Sequence, residues 1–198
     1  MAGLVIDPLV APLDATVTLP GSKSLTNRAL VAAALAHGRS RLTGVLFADD
    51  TEAMLDCLVR LRVGLVPDPR AATVEVVGTG GVVPDGSYEL DARLSGTTSR
   101  FLLPVLALGA GDYRMDGAES LRQRPMGPLL DALRALGARV EQHGSPGHLP
   151  VTLSGGPPAG GAVALAGDVS SQFLSGLLLA APAMVDGLRV ALTTALVS

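Results

Sequence analysis

The sequence predicts an α/β (α+β) fold made of repeated βαβαββ units, and three observations carry that prediction. First, a signature of small hydroxylated residues, one long polar side chain and an apolar helix occurs three times. Its copies are Ser24-Leu25-Thr26-Asn27-Arg28-Ala29-Leu30, Gly96-Thr97-Thr98-Ser99-Arg100-Phe101-Leu102 and Asp168-Val169-Ser170-Ser171-Gln172-Phe173-Leu174. The long polar residues Arg28, Arg100 and Gln172 stand 72 positions apart each time, a fixed period that marks internal repetition. Second, Leu55, Leu58 and Leu61 are echoed by Leu130, Leu133 and Leu136, a spacing that lines one face of a helix. Third, the runs Val74-Glu75-Val76-Val77-Gly78 and Val151-Thr152-Leu153-Ser154-Gly155 read as strands closing the first two units.

Taken in order, Ala15-Thr16-Val17-Thr18-Leu19 reads as a strand that precedes the first unit and lies outside the repeat. The first unit, about 20–90, runs from a Gly turn and helix start at Pro20-Gly21-Ser22-Lys23 through a strand at Arg41–Gly44 and a helix at Thr51–Leu61 to Gly78. The second, about 91–160, has a helix over Arg100–Leu108, a strand at Arg114–Gly117 and a helix whose first turn contains Pro125, a favoured place for proline. The third, about 161–198, opens near Ala162 and reaches a strand at Arg189–Leu192. On this reading the chain stops about halfway through its third unit, as the N-terminal piece of a longer protein.

Composition narrows the function. Of 198 residues 48% are hydrophobic, enough for a substantial core, and 24 Gly with 14 Pro stay below the share at which disorder is the default. Mean hydropathy is +0.43, yet Phe101–Gly111 is short and Phe173–Val185 is interrupted by Ser175, Gly176 and Pro182, so neither reads as a membrane span. The N-terminus has no basic region before an apolar block, which reads as a soluble, cytoplasmic protein. The single cysteine, Cys57, excludes an internal disulfide and a multi-cysteine metal site and reads as core. A net charge of −3 gives no global attraction to nucleic acid and leaves room for local anion sites.

Several segments could form such a site. Gly21-Ser22-Lys23-Ser24-Leu25-Thr26-Asn27-Arg28 joins helix N-terminal amides, hydroxyls and two cations, and reads either as a phosphate or carboxylate site or as a capped, solvated helix start. It is not a Walker A loop, since Ser22 and Val17 stand where glycines are needed. Ser95–Arg100 is a second start, at which Gly96 permits close ligand approach although ordinary capping also accounts for it. Arg122 and Arg124 could form a fork for an oxyanion, or be solvated. Gly167–Gln172 adds a third helix start, and convergence of repeat-related starts would suit a polyanionic small molecule. Asp49-Asp50 reads as capping, and His37, His143 and His148 lack metal-ligand spacing.

Together, Leu19-Pro20-Gly21-Ser22-Lys23-Ser24 with Asn27-Arg28-Ala29-Leu30, Arg124-Pro125-Met126-Gly127 and Val169-Ser170-Ser171-Gln172-Phe173-Leu174 resemble the motifs of the 5-enolpyruvylshikimate-3-phosphate synthase family, in order along the chain. The resemblance implies a lobe of threefold βαβαββ units, with residues 1–19 belonging to the other, C-terminal lobe and 20–198 to the substrate-binding lobe. It implies transfer of the enolpyruvyl group of phosphoenolpyruvate to the 5-hydroxyl of 3-phosphoshikimate, through a tetrahedral intermediate and without cofactor or metal. This is a step towards chorismate and the aromatic amino acids. The same resemblance implies that Lys23 touches both substrates and that Ser24, Arg28, Ser170, Ser171, Gln172 and Ser198 hold 3-phosphoshikimate. Gly96, Arg124 and Gln172, with Lys23, then face phosphoenolpyruvate.

Many family members read Asn-Ala-Gly-Thr-Ala-Met-Arg-Pro where this chain has Leu94-Ser95-Gly96-Thr97-Thr98-Ser99-Arg100-Phe101, which alters the loop that bears on phosphoenolpyruvate and glyphosate affinity. Retention of Gly96 implies glyphosate sensitivity in a monomeric full-length enzyme. The acid and base groups of the reaction come from the C-terminal half, so residues 1–198 alone are expected to be inactive. The alternatives are a noncatalytic anion-binding fragment or a UDP-N-acetylglucosamine enolpyruvyl transferase. Lys23-Ser24 and the helical Cys57 argue against the latter.

Overall fold

The computed structural model describes residues 3, 4, 8 and 10–197, so Ser198 lies outside the described residues. Three successive blocks follow the repeat. The first comprises α1 (Lys23–Leu35), β1 (His37–Thr43), α2 (Asp49–Arg60), β2 (Gly64–Asp68) and β3 (Thr73–Thr79). The second comprises β4 (Ser87–Asp91), α3 (Gly96–Leu106), β5 (Asp112–Asp116), α4 (Glu119–Arg122), α5 (Gly127–Ala135), β6 (Arg139–Gln142) and β7 (Val151–Ser154). The third contains β8 (Gly161–Leu165), α6 (Ser171–Ala180) and β9 (Leu188–Leu192).

Each block builds its own sheet. The second has strand order β4-β5-β7-β6, with β4 and β5 parallel across the α3 crossover and the other pairs antiparallel. In the first, β3 lies between β1 and β2 and pairs antiparallel with both, while β8 and β9 pair in parallel across α6. β1 is the counterpart of β5, but among the described residues only β3 pairs with it.

Residues 15–19, expected as a strand, pair with no described strand, and Val17 and Leu19 are exposed. Alternation alone does not make a strand, because its backbone groups need an edge to bond. Two further expectations change. Pro125 precedes α5 rather than lying in it, and Pro128 occupies the first turn instead, where a missing N–H costs no helical bond. α3 begins at Gly96, four residues before the expected Arg100, because the Ser95 hydroxyl accepts the Thr98 N–H at 3.1 Å and caps the helix there.

The core lies where α1, α3 and α6 meet the inner faces of the sheets. Leu30, Phe101 and Phe173 are fully buried there, and Tyr113, Met115, Val151 and Leu153 project inward from alternate positions of β5 and β7. α3 is buried along its whole length except at Arg100. Pro104 has no N–H to give the Arg100 carbonyl four residues earlier. Gly176 of α6 lies against that carbonyl, and a Cβ on Gly176 would collide with it. The two helices therefore meet at a point where one lacks a donor and the other lacks a side chain.

Candidate active site

Helix starts supply the frame of the site. The hydroxyls of Ser22, Ser95 and Ser170 accept N–H groups of Leu25, Thr98 and Gln172 at 3.4, 3.1 and 3.3 Å, so each repeat opens its first helix with a serine cap. Ser170 thus caps α6 with its hydroxyl oxygen, its O–H remaining able to donate, and Ser171 is the first residue of α6.

Three cations gather beside these starts. Arg28 of α1 donates to the Ser24 carbonyl at 3.1 Å and to the Ser175 hydroxyl of α6 at 3.0 Å, with its guanidinium 5.0 Å from the centre of the Phe101 ring. Arg100 of α3 donates to the Gln172 side-chain oxygen at 3.0 Å and lies 5.3 Å from the Phe173 ring centre. The Gln172 amide nitrogen faces Thr97 Oγ1 at 3.3 Å, so this side chain is clamped between two points on α3. Arg124 lies over Gly96: a Cβ built there would come 3.0 Å from its Nη1 and 3.5 Å from that of Arg100. A side chain there would press on the Arg124 guanidinium and just touch that of Arg100.

None of Arg28, Arg100 and Arg124 forms an ion pair with a described residue. Burial, and then the charge of Arg124, lowers the Arg100 pKa, and its Nε is buried without a partner. A guanidinium stays protonated under such a shift, so the cost appears as attraction for an anion. The macrodipole of α3 points its positive end at the same place. Chemically the arrangement can hold an anionic ligand bearing several oxygens.

Lys23 stands at the edge of this cluster, paired with Asp50 at 3.0 Å, and the Asp50 carbonyl accepts the Thr98 hydroxyl of α3 at 3.0 Å. The expected fork of Arg122 and Arg124 is divided. Arg122 is held by Asp116 through two bonds of 2.9 Å, which leaves Arg124 to face Gly96. The larger cavities, about 530 Å³ beside Asp91, Arg93 and Asp116 and about 600 Å³ beside Arg114, His143 and His148, lie away from the three unpaired arginines. Several of their arginines are already paired: Arg93 with Glu52 and Asp56, Arg114 with Glu89, and Arg122 with Asp116. Among the described residues no three His, Cys, Asp or Glu side chains converge as metal ligands.

Sequence reasoning set Thr97 and Arg100 in a candidate helix start without giving them a role, and missed Ser175 and Asp50 as partners of the site. The 72-residue period was a usable signal for Arg100, because it places that residue in register with Arg28 and Gln172. Asn27 was missed too: its amide is fully buried and neither polar atom is bonded to a described residue, next in sequence to Arg28.

Residues 9–198 match the family model of EPSP synthase (3-phosphoshikimate 1-carboxyvinyltransferase). The chain belongs to the EPSP synthase family. It is 44% identical over 182 residues to the 3-phosphoshikimate 1-carboxyvinyltransferase of Nostoc punctiforme, covering 92% of this chain and 43% of that protein. To the enzyme of the same name from Escherichia coli it is 42% identical over 183 residues, 92% of this chain and 42% of the relative. The chain therefore spans less than half the length of these family members. The EPSP synthase structure from Acinetobacter baumannii superposes with a TM-score of 0.74 at 31% identity, over 85% of this chain and 38% of that one. The enolpyruvyl transferase NikO from Streptomyces tendae, at 19% identity and a TM-score of 0.63, shares the fold.

Proposed function

We propose that this chain supplies the anion-holding side of an enolpyruvyl transfer from phosphoenolpyruvate to the 5-hydroxyl of 3-phosphoshikimate. The observation that carries the reading is the approach of two unpaired arginines, Arg124 and Arg100, to Gly96 at the N-terminus of α3, with Gln172 of α6 bonded to Arg100, in a chain of this family. Both substrates carry a phosphate and a carboxylate, so cations and helix amides match them. Arg28, Ser24, Ser170, Ser171 and Ser198 are assigned to 3-phosphoshikimate, Gly96 and Arg124 to phosphoenolpyruvate, and Lys23 and Gln172 to both. Lys23 exchanges Asp50 for substrate when the site fills.

In the addition step the 5-hydroxyl oxygen bonds to C2 of phosphoenolpyruvate, its proton leaves to a base and a proton is added at C3. In the elimination step C3 loses a proton and the C2–O bond to phosphate breaks. Prepositioned cations stabilise the phosphate oxygens as charge collects there. The acid and base groups come from the part of the family protein outside this chain, as do the strands that pair with residues 15–19. Residues 1–198 alone bind substrate weakly and do not turn it over, because an open half-site cannot exclude water. Cytoplasmic location belongs to the reading, since multiply charged substrates do not cross a bilayer unaided, as do a monomeric full-length enzyme and inhibition by glyphosate in the Gly96 space.

Calorimetric titration of the chain with 3-phosphoshikimate tests the site. Saturable binding that Arg28→Ala weakens at least tenfold is expected, and equal behaviour of parent and variant rejects the assignment. Phosphate release from the two substrates by this chain alone would reject its inactivity.

A further inference from the structure

The two arginine–phenylalanine contacts are copies of one contact. Arg28 faces Phe101 and Arg100 faces Phe173, and each phenylalanine lies 73 positions beyond its arginine. A guanidinium on the first helix of one unit thus lies over a ring on the first helix of the next. In the third unit Gln172 takes the arginine's place.

The two copies differ in what else holds the cation. Arg100 is clamped by Gln172 and carries a buried Nε. Arg28 uses two of its five N–H donors, on its own helix and on Ser175, so its remaining donors stay free for an anion while its plane is set by the ring. Phe101 is fully buried on α3 and cannot itself touch a ligand.

We propose that Phe101 is a positioning residue for the 3-phosphoshikimate site, its ring face holding the Arg28 guanidinium in the orientation that receives the anion. The inference rests on the assignment of Arg28 under the proposed function. An aromatic face attracts a partly desolvated guanidinium through its quadrupole, an effect that an aliphatic side chain of similar volume lacks.

The test places fluorinated phenylalanines of increasing substitution at position 101 of the 198-residue chain, beside Phe101→Tyr, Phe101→Leu and Arg28→Ala. Fluorination drains the ring face with little change in size, so a purely structural role leaves affinity level across the series. Affinity for 3-phosphoshikimate is expected to fall stepwise to about a fifth to a tenth with the thermal midpoint held, to survive in Phe101→Tyr and to lose its trend in an Arg28→Ala background. A flat series in a chain that Arg28→Ala does weaken overturns the proposal. If Arg28→Ala binds as tightly as the parent, the site assignment itself fails. The ring's hold on Arg28 is then decided without ligand by the Arg28 Nε–Hε proton resonance. It lies upfield in the parent and moves downfield in Phe101→Leu if the hold is real, and stays in place if it is not.

Discussion

The second and third repeat units begin alike and end in different environments. Both cross from one strand to a parallel neighbour through a helix, α3 or α6. α3 buries every residue but Arg100, whereas α6 buries only Phe173, Gly176, Leu177 and Ala180 and leaves Leu178 51% exposed. β5 is flanked by β4 and β7, while β9 pairs only with β8 among the described residues. The same unit can therefore serve as a rigid centre or as a half-covered flank, according to what packs on it. The site sits between the two: α3 brings Arg100 and its helix start, α6 brings Gln172 and Ser175, and Arg28 and Arg124 come from α1 and from the segment before α5.

The largest effect that would sharpen this contrast is in the cores. Leu102→Ala on α3 is expected to cost about 2–5 kcal/mol in urea unfolding, because it opens a cavity at a fully buried site. Leu178→Ala on α6 should stay within about 0.5 kcal/mol, and an equal cost at both positions would erase the distinction.

Ligand binding at the two helix starts comes next. Gly96→Ala pushes against the Arg124 Nη1, a movable end, so the fold tolerates it while affinity for phosphoenolpyruvate drops about tenfold. Ser171→Ala at the first position of α6 removes no charge and should weaken phosphoenolpyruvate by less than threefold in the same titration.

A smaller effect belongs to the end of β5, an inner strand of the second sheet. Burial tends to raise the Asp116 pKa, but the hydrogen bonds of Arg122 and the Gly117 N–H, with the charges of Arg122 and Arg114, outweigh it and hold the carboxyl below its usual value. A depressed carboxyl stabilises the fold above its unfolded pKa and loses that contribution as pH falls through the folded one. Asp116→Asn is expected to cost about 1 kcal/mol at pH 7, discounted because Arg122 is 42% exposed, and the difference should fade below about pH 4. A difference that persists at pH 2 would assign the loss to packing.

The smallest expected signal is at Cys57, which points from α2 to the Asp91 carbonyl of the second unit at 3.4 Å. Burial, then the charges of Asp91 and Asp56, push its thiol up to about 12. A thiol reagent should leave it unmodified at pH 8 until the chain unfolds; rapid labelling of the native protein would show the junction between the first two units to be open.

Much of this was legible in the residues. The period joining Arg28, Arg100 and Gln172, the leucine faces of α2 and α5 and the closing strands β3 and β7 are local patterns, written by which face meets the core and by short-range capping. Residues 15–19 pair with no described strand for the complementary reason, since a strand depends on an edge that the local pattern cannot supply. Likewise only tertiary structure decided that Asp116 claims Arg122 and leaves Arg124 free, and that Arg28 reaches Ser175 across 147 positions. Those choices depend on helix approach, which Pro104 and Gly176 permit at one contact between α3 and α6. By itself, then, the sequence determined the repeat, the order of its elements and the residue types able to hold an anion. Which of those cations stand unpaired at one point was settled by packing, because a charge finds its partner through space and not along the chain.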